Sequence, residues 1–448
     1  MASHNQLISR PPETFKEKLK WLGPGFLWMV SAAGSGELLF TPRVGALYGY
    51  SLLWAMIAAV LLKWFINREI GRYSVCTGKT IIDGFAELPG PKNWAIYIIL
   101  IPQLFVAVAS IAGLAGSAAT ALVVALPGDI RIWTIVAICL STILVLWGKF
   151  KTIERVATIL AIALGVAAII AASSVFPAAR ELAAGMVPVV QPEVDYQEVL
   201  PWLGFMLSGA AGLIWYSYWI QKKGYGVAKD SGIVNVMKLN KSEIGQLNKW
   251  IQQMTFDSTV AVAGTFVVTL SFLILGTELL KPDGLVPEEN KVAETLGNML
   301  GQLWGPVGFW FMITAVFVGF WDTVLSDQDG FGRMFSGGTN ILLKRFKKSE
   351  WITEENLRRF FVLILVTVFP ILLYLWMGEP VELLKIAGAI EACHIPFVVV
   401  LILYLNHKSL PAGLKPSVIS FSFTLVAGLF FLLFATIYIL QLTGVVSL

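Results

Sequence analysis

The sequence has few charged residues and few cysteines, and each shortage excludes familiar classes of protein. Only 14% of its 448 residues are Asp, Glu, Lys or Arg, against about 25% in soluble domains. A soluble chain of this length needs more polar side chains to cover its surface, which excludes a soluble enzyme, a nucleic-acid-binding protein and a disordered scaffold. The cysteines at 76, 139 and 393 are too scattered for a disulfide framework or a zinc site. Because no nucleophile motif, phosphate loop or metal-ligand cluster is visible, we expect neither enzymatic activity nor a cofactor.

Apolar and aromatic side chains take the place of the missing charge. The chain is 56% hydrophobic, with 16 Trp and 28 Phe, and its mean hydropathy is +0.74, as in a protein that crosses the membrane many times. A spanning helix needs about 20 mostly apolar residues, and this rule predicts eleven spans. They are 22–48, 50–70, 94–126, 130–148, 153–176, 199–220, 256–278, 298–326, 358–377, 382–405 and 416–442.

The basic residues predict how these spans are oriented. If the N-terminus is cytoplasmic, 26 of the 33 lysines and arginines fall in cytoplasmic segments and four in external loops, as the positive-inside rule requires. Residues 1–20 are polar and basic without an apolar core, so we expect a cytoplasmic segment and not a cleaved signal peptide. Residues 21–448 then form one multi-pass domain with an extracytoplasmic C-terminus, and we expect it to lie in a bacterial inner membrane. Two polar stretches, 222–254 and 329–357, are predicted cytoplasmic loops, the first with an amphipathic helical portion.

Two of the predicted spans carry glycine clusters at matching places. The first and sixth spans begin with the same Trp-Leu-Gly, at 21–23 and 202–204, and are interrupted at 34–36 and 208–212. Broken backbone at membrane depth is tolerated only where it lines a cavity or ligand; for Gly209 and Gly212, close helix packing is the alternative. Two copies of a unit that lie five spans apart insert with opposite topology, which indicates inverted repeats around a central site. The predicted repeats are about 21–176 and 199–405, followed by an extra helix at 416–442.

The residues around the first break are recognisable. The run from 23 to 54 aligns without a gap, and further matches follow in span order at Thr77-Gly78, Asp257-Ser258-Thr259 and Pro396-Phe397. This pattern resembles the Nramp (natural resistance-associated macrophage protein) family of divalent-metal transporters. The resemblance implies an all-α integral membrane fold: the five-plus-five inverted repeat of the amino-acid/polyamine/cation superfamily (leucine-transporter type), with helices 1 and 6 broken. It also implies a secondary transporter.

The positions that hold metal in that family are changed in this chain. By the same alignment, the family's Asp-Pro-Gly-Asn falls on Gly34, Ser35, Gly36 and Glu37, and its Met-Pro-His falls on Leu213, Ile214 and Trp215. The acidic pair of the third span falls on Ser110 and Gly113, and the Gln of the tenth span on His394. Thioether ligands favour softer metals, whereas oxygen ligands suit Mg²⁺, Ca²⁺ and Mn²⁺. The resemblance therefore implies a divergent branch that binds Mn²⁺, Fe²⁺ and Cd²⁺ more weakly than ordinary members do.

Ionisable and aromatic side chains at membrane depth complete the predicted site. We expect Glu37 to be a substrate or metal ligand; the alternative is a cap for the half-helix that it opens. Glu391 and His394, at i and i+3, share one helix face and are candidates for proton or ion coupling. For this pair and for Asp322, the alternative is a structural polar pair with Lys385 or Lys63, which also lie at membrane depth. Asp327 and Asp329 are interpreted as a hydrated helix end. The predicted substrate-binding residues are Gly34, Ser35, Gly36, Glu37, Gly209, Gly212, Leu213, Trp215 and Asp322.

Two functions remain open at this point. The first is transport of a cation, a hard divalent metal such as Mg²⁺ or Mn²⁺ rather than a soft transition metal. The second is transport of a small organic solute, such as an amino acid or organic cation, held by the backbone at 34–36 or by the ring of Trp215. The expected partners are the metal ion or small molecule and the lipid bilayer, with no nucleic acid.

Overall fold

The computed structural model describes residues 8–26, 28, 33–148, 151–189, 194–227, 236–343 and 353–444, most of them helical. The α-helices are α1 (Phe15–Lys20), α2 (Thr41–Tyr48), α3 (Leu53–Thr77), α4 (Ile81–Ala86), α5 (Trp94–Ala125), α6 (Ile130–Trp147), α7 (Lys151–Ser174), α8 (Ala179–Gly185), α9 (Tyr196–Phe205), α10 (Ala210–Lys223), α11 (Lys241–Leu275), α12 (Val292–Leu343), α13 (Glu354–Leu363), α14 (Phe369–Met377), α15 (Pro380–Ser409) and α16 (Val418–Leu442). Three segments are π-helical: Ala33–Phe40, Gly276–Leu280 and Ile364–Val368. Short 3₁₀ turns lie at Val236–Lys238, Glu289–Lys291 and Ala412–Leu414.

Within the described residues, eight helical segments are long and apolar enough to cross a membrane. The bent pair Thr158–Ser174 and Ala179–Gly185 makes a ninth if it is counted as one span. These segments correspond to nine of the eleven predicted spans. The predicted span 50–70 coincides with the 25-residue helix α3, which carries Lys63, Arg68, Glu69 and Arg72. The total of eleven therefore stays a prediction.

The sixth predicted span is broken, as its glycines indicate, although the break lies slightly earlier than expected. Helix α9 ends at Phe205 and α10 begins at Ala210, so the break is at 206–209 and Gly212 is already helical. Leu207 and Ser208 have φ angles of 57° and 87°, a region that non-glycine residues seldom occupy. Backbone strain of this kind costs about 1–3 kcal/mol per residue and concentrates at functional sites.

The first predicted break takes a different form. Ala33–Phe40 is π-helical and runs directly into α2, so Gly34, Ser35 and Gly36 do not form an extended gap in the described chain. A π-helix is rare and is found mostly at functional sites. The residues that precede this segment, 29–32, lie outside the described part of the chain.

The two predicted polar stretches are more helical than loops. The helical portion expected inside 222–254 is the start of α11, which begins at Lys241, where Asn240 and Glu243 form a reciprocal capping box. Helix α12 continues to Leu343, well into the predicted loop 329–357. Both extensions carry polar residues, which a hydropathy window counts as loop although an exposed helix tolerates them.

The helices that surround the centre pack very closely. Helix α5 packs along α12 and α15, and α9 packs against α15. At the last contact the backbones touch, because a Cβ on Gly204 would lie 2.1 Å from the carbonyl oxygen of Gly388. Small residues permit such approaches between membrane helices. The end of α9 is therefore held against the helix that carries Glu391.

Candidate functional site

A small enclosed space lies beside the break between α9 and α10. Its volume is about 30 Å³, enough for one or two water molecules or an ion. Helices α5, α9, α10, α12 and α15 all contribute to its wall. The lining residues are Ser110, Phe205, Ser208, Gly209, Ala211, Gly212, Trp215, Thr323, Asp327, Phe331 and Glu391. We call this space the break cavity.

Glu391 faces the first turn of α10. Its Oε2 accepts a hydrogen bond from the backbone N–H of Ala211 at 3.2 Å and another from Nε2 of Gln103 at 3.0 Å. The free N–H groups and positive dipole of a helix N-terminus favour a carboxylate there. Glu391 therefore lies at the break, as predicted, and anchors the second half of the broken helix.

Among the described residues, no hydrogen bond joins His394 directly to Glu391. The Gln103 amide lies between them, with Nε2 also 3.0 Å from Nδ1 of His394. Since an amide nitrogen carries two hydrogens, Gln103 donates one to each neighbour. The imidazole lines a separate apolar cavity with Cys393, Phe397 and other residues, so the predicted coupling pair is bridged by Gln103 and only its glutamate reaches the break cavity.

Asp327 is the main site residue that sequence reasoning missed. The interpretation as a hydrated helix end is wrong, because α12 continues for sixteen residues beyond it, to Leu343, and the side chain is buried. Its Oδ2 accepts a hydrogen bond from Ser110 Oγ at 2.9 Å, and it lines the break cavity together with Glu391. Asp329 is not at a helix end either; its carboxylate pairs with Arg333 and Arg358.

Trp215 and two glycines form the wall on the α10 side. The Trp215 ring meets Phe331 edge-on, with centroids 4.9 Å apart. A Cβ on Gly209 would lie 2.5 Å from the carboxyl carbon of Glu391, and one on Gly212 would lie 1.6 Å from Ser208 Oγ. A side chain at either position would therefore clash with Glu391 or Ser208. The two glycines are needed for steric reasons at the site itself.

Glu37 connects the two broken spans. Its Oε1 accepts a hydrogen bond from the backbone N–H of Leu207 at 3.0 Å, and Oε2 has no partner among the described residues. The preceding Gly36 lies against the α9 end, since a Cβ there would be 2.9 Å from the carbonyl oxygen of Phe205. Glu37 thus reaches the second break, but it borders a larger apolar space of about 660 Å³ rather than the break cavity.

The remaining predicted residues lie elsewhere. Leu213 is fully buried and Asp322 nearly so, and neither lines the break cavity. Gly34 and Ser35 belong to the π-helical segment; their surroundings lie outside the described contacts. Of the predicted substrate-binding set, the structure therefore brings Gly209, Gly212 and Trp215 to this cavity, and it adds Asp327, Ser110, Ser208 and Thr323.

A buried ion-pair cluster ties the helices together at one end of the bundle. The guanidinium of Arg43 donates to both carboxylate oxygens of Glu198, at 2.7 and 2.8 Å, and also to the carbonyl of Pro287 at 2.7 Å. Lys385 Nζ lies 2.5 Å from the same carboxylate. One anion therefore joins α2, α9 and α15, and closes this end.

Glu198→Gln should destabilise the protein by about 3 kcal/mol or more, because the buried Arg43 and the partly buried Lys385 lose their shared anion. Thermal unfolding in detergent measures the loss. Glu382→Gln is the matched control: Glu382 also contacts Lys385, at 3.4 Å, but its side chain is 42% exposed, so the expected loss is below about 1 kcal/mol. Equal losses in the two variants would contradict the structural importance of the cluster.

The opposite end of the first span is held by Asp257 of α11. Its two carboxylate oxygens accept hydrogen bonds from the backbone N–H groups of Gly23 and Gly25, at 3.0 and 2.6 Å. Nearby, the hydroxyl of Tyr225 donates to the carbonyl of Trp21. Burial raises the pKa of Tyr225, so this hydroxyl remains a protonated donor. The described helices are thus tied at both ends of the bundle.

Comparison with known sequences gives a consistent result. The family model described as natural resistance-associated macrophage protein-like matches residues 25–442. The divalent metal cation transporter MntH of Brucella suis is 23% identical over 400 residues, which cover 88% of this chain and 81% of that protein. An uncharacterized protein of Pasteurella multocida is 24% identical over 329 residues, 71% of this chain and 70% of that protein.

Solved structures share the fold. A manganese transporter of Eremococcus coleocola matches with a TM-score of 0.71 and 16% identity, over 99% of this chain and 92% of the other. The structure of MhsT in complex with L-phenylalanine matches with a TM-score of 0.55 and 15% identity, over 93% and 98% of the two chains. These likenesses concern the fold alone, and they confirm the predicted leucine-transporter-type architecture.

Proposed function

Because the chain belongs to the Nramp-like family, whose model spans residues 25–442, we propose that it carries a hard divalent cation such as Mg²⁺ or Mn²⁺ by alternating access. Members of this family are multi-pass membrane transporters and not enzymes. Relatives and structural neighbours named as divalent metal cation and manganese transporters support a metal ion as the cargo.

The break cavity is the observation that carries this proposal. Its volume of about 30 Å³ is at least ten times smaller than the 300–1,000 Å³ of pockets that hold organic ligands. An ion that has lost most of its water fits this space, whereas an amino acid does not. The organic-solute alternative is therefore not favoured.

The donor atoms favour a hard ion. Two carboxylates, Asp327 and Glu391, and three hydroxyls, from Ser110, Ser208 and Thr323, line the cavity, and its lining includes neither Met nor Cys. Within the described residues no three His, Cys, Asp or Glu side chains are grouped as metal ligands, so hydroxyl or carbonyl oxygens must complete the shell. Oxygen-only shells suit Mg²⁺ and Mn²⁺ better than soft metals.

The ties at the two ends suggest how access alternates. We place the N-terminus in the cytoplasm on the distribution of basic residues, which makes Arg43–Glu198–Lys385 the external closure and the Asp257 contacts the cytoplasmic one. With both closures made, the cavity between them is occluded. Release of one closure at a time would expose the cavity to one side of the membrane.

Uptake into proteoliposomes tests the proposed cargo. We expect saturable uptake of Mg²⁺ or Mn²⁺, inhibited by the other of the two ions, and at most weak competition from Cd²⁺, since no thioether faces the cavity. Protein-free liposomes are the control. Strong Cd²⁺ inhibition at concentrations far below those of Mg²⁺, or uptake of an amino acid without any metal uptake, would refute the assignment.

A further inference from the structure

A buried lysine lies inside the break between α9 and α10. Lys63 of α3 is fully buried, and its Nζ donates to the carbonyl oxygens of Gly204, Met206 and Ser208 at 2.7, 2.7 and 2.8 Å. An ammonium group has three N–H donors and no acceptor, so all of its hydrogens are bonded. These distances are those of charge-assisted hydrogen bonds.

The three carbonyls are of the kind that binds a cation. Gly204 belongs to the last turn of α9, and Met206 and Ser208 belong to the break, so helical hydrogen bonds do not satisfy them. The C-terminal end of a helix also carries the negative end of the dipole. In transporters with discontinuous helices, unwound carbonyls and half-helix C-termini coordinate Na⁺. In this chain a side chain fills that place.

Two carboxylates and an aromatic ring surround the ammonium and favour its charged form. Glu37 and Glu391 both interact with it electrostatically, and the ring of Phe431 lies 5.3 Å from Nζ, a distance at which a ring face stabilises a cation. Glu37 also binds Leu207 within the break, and Glu391 binds the start of α10. The charge of Lys63 therefore interacts with both of the anions that hold the broken helix.

We propose that Lys63 is a tethered monovalent cation, whose ammonium fills a cation site formed by the carbonyls of Gly204, Met206 and Ser208. The covalent tether replaces a free ion, so the break keeps its shape without bound Na⁺ or K⁺. The inference does not depend on which ion is transported.

Two substitutions of Lys63 distinguish the carbonyl site from the side chain that fills it. Lys63→Ala leaves the carbonyls with room for a free ion, whereas Lys63→Met removes the charge and fills the room with an apolar side chain of similar length. Each variant and the parent are unfolded thermally in choline chloride, with and without added ammonium or methylammonium chloride at constant ionic strength. Choline carries no N–H donor and serves as the matched control ion.

We expect both variants to unfold on the order of 5 °C below the parent in choline, because three buried carbonyls lose their donors. Ammonium should restore at least half of that loss in Lys63→Ala, saturably, and should shift neither Lys63→Met nor the parent. If Lys63→Ala is recovered as monodisperse protein only when ammonium is present during purification, that result supports the proposal equally. Failure of ammonium to restore Lys63→Ala, by unfolding temperature or by yield, overturns the proposal, and so does an equal response in all three proteins.

Discussion

Asp327→Asn should lower uptake of the transported cation by about 100-fold. The substitution keeps the shape of the side chain, and the amide oxygen can still accept the hydrogen bond from Ser110, so the fold should be unaffected. What is lost is one of the two negative charges at the break cavity, and a desolvated charge pair contributes about 2–5 kcal/mol. Initial rates in proteoliposomes, measured at matched protein density, provide the comparison.

Asp329→Asn is the control for that measurement. Asp329 lies two residues further along α12, but it pairs with Arg333 and Arg358 near the surface and does not line the cavity. The substitution removes a structural ion pair and not a cation ligand, so uptake per folded protein should stay close to that of the parent. If Asp327→Asn transports normally, or if both variants lose activity alike, the break cavity is not the cation site.

Glu37→Gln is expected to reduce uptake at least tenfold while the protein still folds. The amide oxygen can accept from Leu207 N–H as the carboxylate does, at 3.0 Å in the parent, but the negative charge beside the break is lost. Glu37 does not line the break cavity, so its charge acts on a bound cation from across the break, and a tenfold loss corresponds to about 1.4 kcal/mol. Uptake and thermal unfolding of the same preparation separate the effect on transport from any effect on folding.

The comparison with Gly34→Val tests the organic-solute alternative. An organic substrate held by the backbone at 34–36 would tolerate Glu37→Gln and fail in Gly34→Val, whereas a cation held by carboxylates would show strong loss in Glu37→Gln. Parent-like uptake in Glu37→Gln together with an inactive Gly34→Val would therefore contradict metal transport and favour the organic solute.

Periodicity and composition predicted much of the framework. The apolar run at 94–126 is α5 (Trp94–Ala125) almost to the residue, because a long uncharged segment admits few alternatives in a membrane. The glycines at 208–212 located the sixth break to within three residues, since helix interiors disfavour glycine. The φ angles above zero nevertheless belong to Leu207 and Ser208, whose residue types give no such signal.

The site depends on helix lengths and on contacts between distant residues, which a single sequence does not display. Asp327 follows an apolar run, so a hydropathy profile ends the span near it, and only the length of α12 shows that it is internal. Lys63 was visible as a charge at membrane depth, which is itself a functional signal. Its partners, however, are backbone carbonyls. Every residue has a backbone carbonyl, so the sequence does not indicate which ones Lys63 binds. The capping box at Asn240 and Glu243 was readable from the sequence and would have placed the start of α11.

The contact of Gly204 with Gly388 determines which parts of the site can separate. Since no side chains lie between those backbones, we infer that α9 and α15 move together as one rigid body. Glu391, about one turn beyond Gly388, moves with them. Asp327 belongs to α12, which is a different body. In the proposed transport cycle, a swing of one body against the other would change the distance between the carboxylates of Glu391 and Asp327. A bound dication would then be released mechanically, because its oxygen shell is pulled apart, and neither carboxylate needs to change its own conformation.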